Sequence, residues 1–364
     1  MTSSNTVRNR SIDALRGIAA LMVMFLHVGY FFAKMPGTEG DGAALMRVFQ
    51  QFDIGRMGIT VFFIISGFVI PKSIRLDRAR PLKKFLVKRF YRLYPLFWFS
   101  MILGLFAIWY LHDRGITLSL VAGNATMVPA FFSEWFIIGL YWTLETELIF
   151  YLIVFLLTWF GWLRRLELYL VFTICLYLLL IGFLIIPQFH PSLPHWTATP
   201  YHLSLMFLGV IYRHQFDRDG HSFKLLNQAI ETRTLFFLQL IVILSIPVLV
   251  LFQHLTGVDS THVLDAVAYL VGIAIFFSGV KLWRRPPKFA VYLGVISYSI
   301  YLLHPVVFSF LEYVARNQSW FAGWHLSAYL IISIALTIGL CHISYLFIEK
   351  PANDFGHLVA DRLE

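Results

Sequence analysis

The chain has 364 residues, of which 59% are hydrophobic, 17% aromatic and 13% charged, with a formal net charge of +9. Soluble domains carry roughly 45–50% apolar and about 25% charged residues. This chain has too little polar surface to cover a water-soluble particle, so a soluble enzyme is excluded and an integral membrane protein is expected.

A bilayer core of about 30 Å needs about 20 predominantly apolar residues per helix. On that template the sequence predicts ten spans, at 12–33, 55–71, 93–111, 142–162, 167–186, 200–213, 234–253, 263–280, 289–311 and 325–348. The first begins after Arg8 and Arg10 and carries Asp13, Arg16 and His27, too long and too charged for a cleavable leader, so it is expected to be retained. The span at 55–71 is minimal and that at 200–213 is short, while the apolar stretch 127–141 is interrupted and reads as a re-entrant or interfacial piece. No repeat or low-complexity tract is visible, and residues 1–364 are expected to form a single transmembrane domain with no appended soluble domain. The expected fold class is all-α, a polytopic membrane helix bundle of about ten transmembrane helices.

Lysine and arginine in short loops set orientation. With the N-terminus in the cytoplasm, twenty-three fall in the loops on that side and five on the other. Both termini are therefore expected to be cytoplasmic. The basic excess is a topology signal and an attraction for anionic headgroups rather than a nucleic-acid footprint. Cys175 and Cys341 lie inside apolar runs and make no disulfide framework, and the scattered histidines show no metal-ligand spacing, so no metal is expected.

Ionisable residues inside spans are costly and are functional candidates by default. Arg16 and His27 are eleven residues apart, about three helical turns, so they share a stripe and lie roughly 16 Å apart along the axis. His27, His304 and Glu147 each fall about five to seven residues from the outer end of their predicted spans. Three helices thus offer two imidazoles and a carboxylate at one depth, which reads as a shared site; the competing reading of His27 is a packed core histidine. Glu145 and Glu147 diverge by about 200° on a helix, and position leans to Glu147, which shares its stripe with Thr143 and Tyr151.

The segment 83–95 (KKFLVKRFYRLYP) puts Arg89 and Arg92 on one face, suited either to bidentate phosphate recognition or to an ordinary basic anchor with an aromatic belt. Ser66, roughly 16 Å beneath the outer surface and below His27, reads as a small residue at a helix contact rather than a nucleophile. Trp135, Tyr141, Trp142, Trp196 and Tyr201 on the outer side form an interfacial belt or offer faces for sugar stacking.

RSIDALRGIAALMVMFLH carries Arg16 and His27, and GITVFFIISGFVI, KRFYRLYP, YWTLETELIFY, LGVISYSIYLLHP and FIEKP follow in order. In these motifs nearly the whole chain resembles the acyltransferase-3 family of bacterial inner-membrane proteins, which O-acylate cell-surface glycans. Their glutamate signature selects Glu147 over Glu145. The resemblance implies a multi-pass protein of the bacterial inner membrane that takes acyl groups, most often acetyl, from cytoplasmic acyl-CoA. The implied acceptor is a sugar hydroxyl of an exopolysaccharide or lipopolysaccharide glycan, surface-borne or lipid-linked, with glycan-assembly proteins as further partners.

On that reading Arg89 and Arg92 hold the CoA phosphates and the pantetheine arm passes Arg16. His27 is the general base, Glu147 orients or charge-stabilises it, and His304 with Tyr301 and Trp142 meets the sugar or the oxyanion. A covalent acyl-histidine and an exchange of roles between His27 and His304 stay open. Two departures stand out: Thr60 occupies a position where many members have Asp, and Glu145 is an additional acid. The rival readings are a proton-coupled secondary transporter relaying through His27, Glu147 and Arg16, for which no paired halves are seen, and a non-catalytic scaffold of a glycan-assembly complex.

Overall fold

In hydrocarbon every backbone polar group has to be satisfied within the segment that carries it, so long apolar runs coil into helices. The computed structural model, which describes residues 9–35, 37–185, 194–217, 222–225, 228–257 and 262–363, is accordingly helical. Helix α1 (Arg10–Phe32) is capped by Asn9, whose side chain accepts from the amides of Ser11 and Ile12. A short α2 (Glu39–Gln51) leads to α3 (Ile54–Val69), capped by Asp53 on the amide of Arg56 at 2.8 Å. Then come α4 (Pro81–Gly104), α5 (Leu118–Ala125), α6 (Trp142–Trp159), α7 (Leu166–Ile185) and α8 (Pro194–Phe216). A two-stranded antiparallel hairpin, β1 (Ser222–Leu225) and β2 (Gln228–Glu231), precedes α9 (Thr232–Leu255) and α10 (Val263–Leu282). The chain closes with α11 (Lys288–Val295), α12 (Ser297–Asn317), α13 (Leu326–Ser344) and α14 (Lys350–Asp361).

Among the described residues nine helices are long and apolar enough to cross a membrane. The remaining predicted span, 200–213, sixth in the chain, lies within α8, which is longer than expected but less apolar. Its Tyr201, His202 and Ser204 are buried together with its leucines, because α3, α7 and α9 surround it. A helix sheathed in protein has no need of an apolar perimeter, and hydropathy therefore understated it. Gly67 of α3 and Gly209 of α8 form a close crossing: a Cβ on Gly67 would stand 1.7 Å from the Met206 carbonyl oxygen. Small residues at that crossing let the two backbones meet.

Three other boundaries differ from the expectation. Helix α4 starts at Pro81, so KRFYRLYP is part of the helix rather than a lead-in, and its coil continues to His112. Helices α13 and α14 join through a wider π turn, Tyr345–Glu349, into one rod, Leu326–Asp361. At 32 and 36 residues these rods measure about 48 and 54 Å, well beyond the hydrocarbon thickness, so the basic start of α4 and the mixed-charge end of α14 project together on one side. The predicted ninth span is broken at Ile296 into α11 and α12.

The stretch 127–141 is interrupted as expected, with short helical turns at Pro129–Phe132 and Gly139–Tyr141. Buried Asn124 ties it down: its side chain donates to the carbonyls of Leu120 and Trp135 and accepts from the Ile137 amide, all within 2.9 Å. That side chain replaces the hydrogen bonds a helix would have made.

Candidate active site

Helix α1 runs from one face of the bundle to the other, with Arg16 six residues from its start and His27 five residues from its end. Three cavities follow it. The first, about 760 Å³, opens on the basic face between the loop after α3 (Ser73, Arg75, Arg78), the first turns of α4 (Lys84, Lys88, Arg89, Arg92) and α14, with Asp13 and Arg16 at its floor. The second, about 110 Å³, lies in the middle and is lined by Arg16, Ser66, Arg89, Arg92, Thr143, Glu147, Tyr151, Tyr298 and Tyr301, among others. The third, about 570 Å³, sits at the opposite end and takes in His27, Asp53, Arg56, Trp142, Tyr201, His202, Asp265 and Tyr269. The first and second share Arg16, Val69, Arg89 and Arg92, and the second and third share Ile59, so the three stand in series.

His27 and His304 are brought together. Their rings lie 5.5 Å apart between centroids, one from α1 and one from α12. Each Nδ1 sits 2.8 Å from the carbonyl four residues earlier, Val23 for His27 and Ile300 for His304. A carbonyl only accepts, so each Nδ1 carries the proton and each Nε2 is left as a free-lone-pair base in the neutral ring. His304 is completely buried, and its Nε2 has no hydrogen-bond partner among the described residues. Trp142 lines the same outer cavity as His27 and lies 5.3 Å from the ring of His202.

Glu147 does not join them. It lines the middle cavity, where it accepts from the Tyr151 hydroxyl at 2.7 Å and from Ser66 Oγ at 3.5 Å. The common chamber of His27, His304 and Glu147 expected from depth is therefore two chambers, with Glu147 one level closer to the arginines. Counting residues from a span end assumes that every helix enters the bilayer at the same height, which nothing in the sequence guarantees for α6, a helix that follows an irregular segment. Ser66, read as a mere helix contact, faces Glu147 instead; its neighbour Gly67 makes the contact. Tyr301 also faces the middle cavity, with its hydroxyl 2.7 Å from Thr143 Oγ, one turn before Glu147. Glu145 diverges as its spacing requires and accepts from Trp196 Nε1 at 3.0 Å.

The arginines differ in their partners. Arg92 pairs at 3.2 Å with fully buried Glu349, which also accepts from Ser299 at 2.6 Å. Arg89 donates to Ser73 Oγ at 2.6 Å and stacks over Phe85 and Tyr151. Arg16 has Arg92, Asp13, Glu147 and Glu349 as charged neighbours and makes no hydrogen bond or ion pair among the described residues. Of the expected arginine set, Arg92 is the one paired with a carboxylate among the described residues, while Arg16 and Arg89 have none in an ion pair.

Sequence reasoning missed the polar wall of the outer cavity. Arg56 bridges Asp53 (3.0 Å) and Asp265 (2.9 Å), and His202 Nε2 lies 2.9 Å from the Tyr269 hydroxyl while stacking on Phe63 at 4.7 Å. The histidine and serine that weakened the hydropathy of 200–213 were the available signal. Thr60, at the position where an acid was noted as common, turns its hydroxyl back on the Arg56 carbonyl at 2.8 Å. The outer aromatics divide as well: Tyr201 walls the cavity, Tyr141 is buried against Ser100, and Trp135 is exposed.

A multi-pass bundle with a basic vestibule, a narrow middle and a histidine-bearing outer cavity is the frame of a membrane group-transfer enzyme. The family profile described as "Acyltransferase domain" matches residues 9–346, and the chain belongs to this family, acyltransferase-3. It is also 27% identical over 308 residues to the protein named "Putative acetyltransferase ORF330" of the Acidianus two-tailed virus, covering 80% of this chain and 81% of that protein. No solved structure matches it. The chain is a membrane acyltransferase.

Proposed function

We propose that this acyltransferase takes an acyl group, acetyl by preference, from acyl-CoA at the basic face and delivers it to a sugar hydroxyl at the outer cavity. The acceptor would be a glycan of the exopolysaccharide or lipopolysaccharide kind, lipid-linked or at the cell surface. The protein would reside in the inner membrane of a bacterium with both termini and the basic face in the cytoplasm. The observation that carries this reading is the series of three cavities sharing Arg16, Arg89, Arg92 and Ile59 as common walls.

The cation-rich vestibule suits the phosphates of CoA, with Arg75, Arg78, Lys84, Lys88 and Arg89 around them. Arg16, which makes no hydrogen bond or ion pair among the described residues, fits the point where a charged head gives way to a thin arm. The middle cavity is narrow enough for a pantetheine chain and not for a nucleotide. From Arg16 to His27 is about 16 Å along α1, so the thioester carbonyl reaches the histidines while the phosphates stay behind.

At the outer cavity the neutral His27 Nε2 takes the proton of the acceptor hydroxyl as its oxygen attacks the thioester carbonyl. A C–O bond forms, the C–S bond breaks, and the thiolate leaves to collect a proton as free CoA. The His304 ring beside it, protonated at Nδ1, offers its Nε2 to the acceptor or to the proton in transit. Glu147, with Ser66 and Tyr151, would guide the arm through the middle cavity rather than orient His27. His27 lines the outer cavity and His304 lines none of the three, which favours His27 as the base over the exchanged roles.

The test is purified protein in nanodiscs with acetyl-CoA and a lipid-linked oligosaccharide. Acceptor-dependent release of free thiol, with no ion gradient, is the expected result. Thiol release that is absent while a proton gradient drives movement of a solute would replace this reading with the transporter.

A further inference from the structure

The vestibule on the basic face has two walls of different chemistry. One, from the loop after α3 and the start of α4, presents Arg75, Arg78, Lys84, Lys88 and Arg89. The other is α14, whose Lys350, Asn353, Asp354, His357 and Asp361 line the cavity. These positions follow i, i+3, i+4, i+7 and i+11, a single face of the helix. An amphipathic helix at a membrane surface ordinarily turns its polar face to water; this one turns it to the cavity.

The helix is held there closely. Gly356 abuts Tyr91 of α4, where a Cβ would stand 2.5 Å from the Tyr91 Cβ, and Phe355 packs edge-on against the same ring at 5.2 Å. Lys350 and Asp354 neutralise one another at 2.6 Å. That leaves the Asn353 amide, the His357 ring and the Asp361 carboxylate, none of which has a hydrogen-bond partner among the described residues. The wall repels phosphate through its carboxylate and offers hydrogen bonds to neutral donors and acceptors.

Granting the CoA-type donor proposed above, on which this rests, we propose that α14 recognises the adenosine end of that donor. Asn353 and His357 read the base and ribose while the cations opposite hold the phosphates. An amide presents one donor edge and one acceptor edge, which complements the amino group and adjacent ring nitrogen of adenine. The imidazole face suits stacking on the base. The family profile ends at residue 346, so α14 lies beyond the matched residues and acts as a donor-selecting wall placed against the shared transfer machinery.

The experiment uses the full chain in nanodiscs and the variants Asn353→Ala and His357→Ala. The KM for acetyl-CoA and the inhibition constant of adenosine 3′,5′-bisphosphate, the nucleotide fragment of the donor, are measured for each. Both constants are expected to rise by about tenfold at unchanged kcat, the worth of one or two hydrogen bonds. Gly356→Leu, which pushes α14 away from Tyr91 without touching the recognising groups, should raise both constants together as well. Unchanged constants in the two polar variants, or a loss of kcat at constant KM, overturns the proposal. So does wild-type protein that binds CoA and ignores the nucleotide fragment, which leaves the donor reading standing. Wild-type protein that binds no CoA brings down both.

Discussion

Helices α1 and α11 cross where Gly294 faces the Asp13 carbonyl oxygen, and a Cβ on Gly294 would stand 1.7 Å from that atom. Real Cβ atoms stay at least 3.0 Å from such a neighbour, so Gly294→Ala forces the two helices apart by about 1.3 Å. The obstacle is backbone on both sides, with no flexible side chain to swing away. Overpacking of this kind costs about 1–3 kcal/mol. The larger consequence is catalytic. Helix α1 carries Arg16 and His27, and α11 is joined at Ile296 to α12, which carries His304, so the shift separates the paired imidazoles. A misplacement of about 1 Å at a reacting group can cost about a hundredfold in rate. Thermal unfolding and acyl-transfer rate in nanodiscs read the two effects. Gly182→Ala in α7 is the control, because nothing lies within 4 Å of its Cβ position. Gly294→Ala is expected to lose roughly two orders of magnitude in rate with a lowered midpoint, and Gly182→Ala to lose neither. A Gly294→Ala protein with normal midpoint and rate refutes the helix-crossing argument and the geometry derived from it.

Further outcomes follow from the other contacts. Glu349→Gln removes the carboxylate charge that faces half-buried Arg92 and should cost about 2–3 kcal/mol, read as a drop in thermal midpoint. Tyr151→Phe deletes the 2.7 Å hydrogen bond to Glu147 and should weaken CoA affinity and slow acyl transfer, each several-fold; affinity and rate both unchanged would contradict the middle-cavity role. Burial pushes the Asp217 carboxyl up, but hydrogen bonds from Lys72 and Arg213 outweigh it and hold it below its ordinary value. A depressed carboxyl contributes stability that is present above its unfolded-state value and is lost as pH falls through the folded-state value. Asp217→Asn should therefore lower the thermal midpoint at neutral pH, with the difference from wild type shrinking below about pH 4.

Much of the bundle was legible because hydrocarbon enforces it. Apolar length fixed the helices, and the eleven-residue interval placed Arg16 and His27 at opposite ends of α1, as the cavities they line bear out. The nearness of His27 and His304 followed from depth alone. Depth failed for Glu147, since height along a span is measured from a boundary the sequence does not print, and α6 is entered from short turns at 129–141. Hydropathy also began α4 too late and stopped the α13–α14 rod too early: it marks the part of a helix that meets lipid, whereas the polar continuations are helical because they pack on each other through Tyr91 and Gly356. The outer polar wall of Arg56, Asp53 and Asp265 joins α3 to α10, and no local pattern announces a pairing between residues so far apart in the chain.

The central claim is that His27 Nε2 takes the acceptor proton in a cavity separate from the donor's phosphate site. Transfer of radiolabelled acetyl from acetyl-CoA to the glycan by His27→Ala, with CoA affinity measured on the same nanodisc sample, addresses it most directly. The expected result is a fall of about 10²–10⁴-fold in transfer with CoA affinity within twofold of wild type. Transfer at a near-normal rate, or loss of CoA binding in step with activity, would contradict it.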